Sequence, residues 1–379
     1  MRDIASSLHW PNGSLNEYSG TANRGGAGLM INEIDIRHFK CFQALRIEGC
    51  RRVNIIVGDN GSGKTALLEA IFMAIGTSTE IVTRYRQQRG LDGGFRGSPR
   101  KITDALLGDF FYNLDTKVPI SIALFGDGPE ARSLTITRGS GEALLPLEGG
   151  MPASVQSAIQ FTWTDSKGVE RKANPEISLS TFKLPDTGED LPNFFYFAAN
   201  QVYSSLENAE RFSGLSRAKR QRRFIEVFKK EYPWIEDMGI EIVAGSTGIY
   251  GTLAHLDDKI PIGAISGGIN RIVTVLLAAA SSQNAVLLVD ELENGLYYKH
   301  YLTYWEAILS FAREYKSQLF ITTHSAEWLK ALVEAAGDDT ADIAVWRLER
   351  GEDGKPILLQ FDGAMIKDAI EHGAEARGR

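Results

Sequence analysis

Residues 53–75 read VNIIVGDNGSGKTALLEAIFMAI. Gly58, Gly63, Lys64 and Thr65 stand in the spacing G-x-x-x-x-G-K-T, between an apolar run (53–57) and a helical apolar pattern (66–75). A strand that enters a glycine loop and leaves as a helix is the setting of a phosphate-binding loop. Glycines let backbone N–H groups turn inward around an anion, and the helix points its positive N-terminus at the same place. The expected nucleotide-binding set is Gly58, Asp59, Asn60, Gly61, Ser62, Gly63, Lys64, Thr65 and Ala66. Lys64 supplies charge to the β- and γ-phosphates, and Thr65 offers a hydroxyl to Mg²⁺. No N-K-x-D guanine motif occurs, so ATP is the expected nucleotide.

Three later stretches say what such a loop drives. LLVDELENG (287–295) is an apolar strand ending in acids. There Asp290 is placed as a second Mg²⁺ contact and Glu291 as the group that polarises the attacking water. LFITTH (319–324) is a further strand, ending in His324. Alone, such a histidine reads as a capping or core residue; after the two-acid strand it is a candidate γ-phosphate sensor. Ser266, Gly267 and Gly268 precede an apolar helix (264–280), leaving two amides and a hydroxyl free at a second anion-binding helix start.

This order of phosphate loop, SGG, acid pair and histidine resembles the ATP-binding-cassette ATPases. The resemblance implies that SGG of one subunit covers the γ-phosphate held by another. A head-to-tail homodimer, or a higher homo-oligomer, would then enclose two ATP molecules. The opening hairpin MINEIDIRHFKCFQALRIEG (30–49) and the motif DELENGLYY are similar to those of the RecF, SMC-like and OLD-like (AAA15/AAA21) ATPases. No heptad arm interrupts the chain, and no Toprim nuclease segment follows the ATPase. The implied fold is α/β: an ABC-type P-loop ATPase with a mixed central sheet, an antiparallel β-subdomain and a helical lobe. Lys40 is a further candidate for the nucleotide-binding set, and by the same resemblance Gln201, after the strand FFYFAAN, contacts Mg²⁺ and water. A solvated loop glutamine is the equal alternative for Gln201.

The implied activity is ATP hydrolysis that regulates a separate effector, a nuclease or toxin, in anti-phage defence or a toxin–antitoxin system. The alternatives are a RecF-like DNA repair or loading ATPase and a non-catalytic scaffold stapled by ATP.

The chain has 379 residues, 43% hydrophobic and 23% charged, with net charge −7. That is the composition of a cytoplasmic globular enzyme. Cys41 and Cys50 lack metal spacing and predict no disulfide framework. No apolar run reaches membrane-spanning length. Residues 1–29 are poor in apolar side chains and read as a disordered extension, with Met30 as a plausible start; 30–379 reads as the ATPase domain. Within it, 84–101 is a basic insertion, 117–183 an antiparallel β region and 204–236 a helical lobe. In that lobe SRAKRQRRFIEVFKKEY (216–232) predicts one helix capped by Ser216, with Phe224, Phe228 and Tyr232 facing the core. Arg217, Lys219, Arg220, Arg222 and Arg223 crowd its start, against the helix dipole. DNA or RNA, an acidic protein surface or plain solvent would each relieve that cost.

Overall fold

The computed structural model describes residues 29–76, 103–104, 107–126, 130–139, 143–145, 154–177, 182–183, 192–199, 203–352, 354–361 and 365. Residues 1–28 of the expected extension at 1–29, the insertion at 84–101 and Gln201 lie outside the described residues.

Twelve strands build two six-stranded sheets. They are β1 (Glu33–Phe39), β2 (Phe42–Glu48), β3 (Val53–Val57), β4 (Ile120–Phe125), β5 (Glu130–Arg138), β6 (Ile159–Asp165), β7 (Glu170–Ala173), β8 (Phe194–Phe197), β9 (Val286–Val289), β10 (Gln318–Thr323), β11 (Ile343–Arg350) and β12 (Pro356–Phe361). The first sheet runs β2-β1-β4-β5-β6-β7, with every pair antiparallel. Ile120, Ile122 and Leu124 alternate with half-buried neighbours along β4, as a strand with one covered face requires. The second sheet runs β8-β9-β10-β3-β11-β12, parallel except for the closing hairpin β11–β12. Its inner strands β9, β10 and β3 are buried at every residue, because both faces are covered.

The same strands serve two cores. Val53, Ile55 and Val57 of β3 face one cluster, and Ile56 faces the other. On the second side, between the two sheets, lies α1 (Lys64–Ile75), apolar almost all round. The last carbonyls of α1 lack intrahelical donors. Buried Arg132 Nε donates to Ala74 O at 2.6 Å, and Trp163 Nε1 donates to Met73 O at 2.9 Å. The antiparallel sheet therefore grips the far end of the helix that starts at the phosphate loop. On the first side lie α2 (Ser205–Arg217), α3 (Gln221–Glu231), α4 (Gly267–Ser281), α5 (Tyr301–Glu314) and α6 (Ala326–Ala336). This is the ABC-type P-loop ATPase architecture that the resemblance implied: mixed central sheet, antiparallel sheet and helical layer.

The single helix expected over 216–232 is two. α2 begins at Ser204, whose hydroxyl accepts from Glu207 N, and it ends at Arg217. Ser216 therefore lies in its last turn and caps nothing. Lys219 then takes a left-handed φ of 57°, and α3 starts after Arg220. Charge crowding at 217–223 is relieved partly within the chain. Arg223 pairs with Glu314 and bonds Ser310 Oγ, and Arg220 Nη1 donates to Tyr315 Oη at 2.9 Å. Phe224 and Phe228 are buried, while Tyr232 is half-buried and shares a hydrogen bond with Tyr304 Oη. No helix among the described residues is long and apolar enough to cross a membrane.

Candidate functional site

The phosphate loop connects β3 to α1, at one end of the central sheet. Gly58 has φ +150°, and a Cβ there would meet Leu348 O of β11 at 2.1 Å. Gly63, the residue before α1, has φ +113°, and its Cβ would meet Cys41 Sγ at 2.9 Å and Phe42 at 3.0 Å. Both positions require glycine for conformation and for space. Asp59, Asn60, Gly61 and Thr65 are exposed, Gly58 and Gly63 are half-buried, and Ser62, Lys64 and Ala66 are buried. Lys64 Nζ turns back onto two loop carbonyls, Gly58 O at 2.6 Å and Asp59 O at 3.0 Å. Burial pushes the Lys64 ammonium below the usual lysine range, against the pull of Glu291 and Asp290.

Asp290 follows β9 directly. Thr65 Oγ1 donates to its Oδ2 at 3.0 Å, and Thr322 Oγ1 donates to its Oδ1 at 2.6 Å. The loop threonine and the strand-end acid, 225 residues apart, therefore meet. Burial raises the Asp290 carboxyl above the usual range, and the hydrogen bonds from Thr322 and Thr65 oppose that shift. Glu291 adopts a left-handed φ of 50°, a strained conformation for a non-glycine residue. It is held there by Thr322 Oγ1, which accepts its N–H at 2.9 Å, and Asn294 Nδ2 donates to its Oε2 at 2.8 Å. His324 Nδ1 lies 3.6 Å from Glu291 Oε1 and 3.7 Å from Glu293 Oε1, with the ring half exposed. Glu293 is buried and accepts from Thr323 Oγ1 at 2.6 Å and from His324 N at 3.2 Å. Lys64, Thr65, Asp290, Glu291 and His324 thus share one end of β3, β9 and β10.

Ser266, Gly267 and Gly268 open α4 as expected, but the serine hydroxyl is engaged: it caps the helix by accepting from Ile269 N. Gly267 is exposed. Gly268 is buried, and its Cβ would meet Gly295 O at 2.0 Å. Lys40, next to the Cys41 that abuts Gly63, lies on the side of α1. Its ammonium pairs with Glu69 of α1 and lies 5.7 Å from the Phe110 ring centre.

Four side chains that organise this end went unread in the sequence. Thr322 and Thr323 looked like ordinary strand residues. Glu293 was one acid too many in a motif already assigned. Arg271 is a buried cation in an otherwise apolar helix, and that isolation was the available signal.

A magnesium nucleotide fits these residues. Ser62 Oγ is buried in the loop without a hydrogen-bond partner, and no side chain caps the start of α1. Lys64 occupies carbonyls that phosphate oxygens would replace. Thr65 and Asp290 present oxygens side by side, the donor chemistry of Mg²⁺. Among the described residues no group of three or more His, Cys, Asp or Glu could by itself hold a metal ion.

The strand order and this end of the sheet define a P-loop ATPase of the ABC type. A family model described as an AAA domain matches residues 33–232, more than half of the chain, and the chain belongs to that family. A second, "AAA domain, putative AbiEii toxin, Type IV TA system", matches residues 159–329. A Helicobacter pylori protein named "ATP/GTP phosphatase" is 25% identical over 332 residues, covering 80% of this chain and 87% of that protein. The DNA replication and repair protein RecF of Idiomarina loihiensis is 44% identical over only 45 residues, 12% of this chain and 13% of that one. A solved SmcHead bound to the C-winged helix domain of ScpA covers 88% of this chain and 97% of its own, at 15% identity and a TM-score of 0.48.

Proposed function

We propose that this chain is a cytoplasmic ATPase that binds Mg²⁺-ATP at Gly58–Thr65, dimerises around it and hydrolyses it. The observation that carries the reading is the contact of Thr65 with Asp290, beside Lys64 and one residue from Glu291. Lys64 exchanges its loop carbonyls for phosphate oxygens. Thr65 and Asp290 would hold Mg²⁺, which would supply positive charge against the phosphates. Glu291 takes the proton of the attacking water, and His324 beside it meets the γ-phosphate. Ser266–Gly268 of a second copy offers free helix N–H groups to the same phosphate. Positioning and charge neutralisation carry most of this chemistry. In OLD-like (AAA15/AAA21) manner, the closing and opening would regulate a separate effector, a nuclease or toxin. The match to a family described by a toxin–antitoxin system supports that role.

The test is Glu291→Gln. Loss of a positioned base costs roughly 10²–10⁴-fold in turnover. The variant should keep ATP binding and double in mass with Mg²⁺-ATP. A Glu291→Gln protein that binds ATP while its mass ignores the nucleotide would overturn the dimer, and one that hydrolyses normally would overturn the assignment of Glu291.

A RecF-like repair ATPase is the second reading, favoured by the local RecF match. Turnover that rises with added DNA, and binding that weakens steeply with salt, would select it.

A further inference from the structure

We propose that Arg271 is a positioning residue that couples the two ATP sites of the dimer. It ties the anion-binding start of α4, which closes over the partner copy's ATP, to the acid loop that acts on this chain's own ATP. The inference deepens the reading above and rests on it.

Arg271 lies one turn into α4, three residues after Gly268, and is 4% exposed. Its Nη1 donates to Ala198 O at 3.2 Å, Ala199 O at 2.9 Å and Tyr203 Oη at 2.8 Å. Its Nη2 donates to Asp290 O and, at 3.1 Å, to Glu291 O. Four of these five acceptors are backbone carbonyls, so the guanidinium fixes where the chain runs. Burying a cation without a carboxylate partner is costly, and an apolar side chain would pack here at less expense. What the arginine adds is geometry. Glu291 sits at a strained φ, with its N–H on Thr322 Oγ1 and its carbonyl on Arg271. One of the groups that hold its backbone from outside the loop therefore belongs to α4.

A second contact joins the same two parts. The first turn of α4 packs on the exit of the acid loop, Gly268 against Gly295 O, with no room for a side chain. The helix start is thus fastened to the loop at its entrance, 290–291, and at its exit, 295. A shift of Ser266–Gly268 toward a phosphate in the partner's site must move Glu291 in the same chain. ATP in one site then sets the base of the other, and the two sites fire together.

The experiment measures turnover against ATP concentration for the full chain, Arg271→Lys and Tyr203→Phe, with melting temperature as a fold control. Two coupled sites should give a Hill coefficient above 1, with a ceiling near 2. In Arg271→Lys the coefficient should drop to about 1 and turnover should fall roughly tenfold, while ATP binding to the separated chain changes little. Tyr203→Phe removes one contact and leaves the guanidinium, so it should lower the coefficient partway; should Arg271→Lys fail to fold, this variant decides alone. An arginine that only braces the loop would lower turnover and leave the coefficient at its unmodified value, which overturns the proposal. So does a coefficient of 1 in the unmodified protein whose Glu291→Gln variant still dimerises with ATP. A Glu291→Gln protein that does not dimerise strikes the dimer reading itself, a separate result.

Discussion

The loops at 58–65 and 290–295 meet at one end of the sheet but are built differently. The first is made mostly by its own residues: glycines with positive φ, a lysine folded back on its own loop and a helix start seven residues after the strand, with one bond from outside, Arg350 Nε of β11 to Gly61 O at 2.9 Å. The second is made by others. Asp290 and Glu291 are set by Thr322 at the end of β10, by Arg271 of α4 and by the packing of Gly268 against Gly295. A loop built mostly from itself is damaged mainly where it is touched. A borrowed one can also be damaged from β10 or from α4.

The largest effect should come from the first loop. Gly58→Ala places a methyl group against Leu348 O in a backbone region closed to side chains. ATP binding should be lost by at least ~10²-fold, with stability down by about 2–4 kcal/mol; calorimetric titration and thermal melting check this. Binding within a few-fold of the unmodified protein would show that the loop tolerates a side chain against β11.

Thr322→Val attacks the second loop from outside. It strips Asp290 Oδ1 of its donor and Glu291 N of its acceptor. Buried groups left unpaired cost about 1–3 kcal/mol each. Turnover should drop roughly ten- to hundredfold while ATP affinity holds, so the damage falls on the rate and spares binding. Equal loss in both would mean that Thr322 supports the fold generally.

The smallest effect is a displacement in pH. Asp290 must be ionised to hold Mg²⁺, and burial raises its carboxyl above the ordinary range. Turnover at sub-saturating Mg²⁺-ATP, which reports the nucleotide-free site, should therefore fall as pH drops, with a midpoint above that of an exposed aspartate. In Thr322→Val the midpoint should move further up, because the lost hydrogen bond favoured the ionised form. Stability of the nucleotide-free protein follows the opposite sign. A carboxyl whose folded pKa is raised contributes stability at low pH that is lost as pH rises through the shifted value. An acid limb unmoved by Thr322→Val would separate the limb from Asp290.

The same contrast explains what could be read in the sequence. Lys64, Thr65, Asp290, Glu291, His324 and Ser266–Gly268 belong to motifs whose spacing is fixed by one strand, turn or helix start. Thr322 and Glu293 have no such signature, since their roles exist only once β9 and β10 lie side by side. Lys40 has no such motif, and its ion pair with Glu69 exists only once β1 lies against α1. The break at 218–220 was missed because the run of bases reads as one continuous helical pattern. Lys219 at positive φ has no sequence mark of the kind that glycine supplies.

The position of β3 bears on how the chain is made. This strand pairs with β10 and β11, and its Asn54 bonds Leu319 across a separation of 265 residues. The far end of α1 waits for Arg132 and Trp163, 58 and 90 residues further on. A ribosome that has released the phosphate loop has yet to synthesise either neighbour of its strand. Until the C-terminal third emerges, an apolar, unpaired strand is exposed to other nascent chains and to aggregation. The nucleotide site most legible in the sequence is thus among the last to exist in the polypeptide.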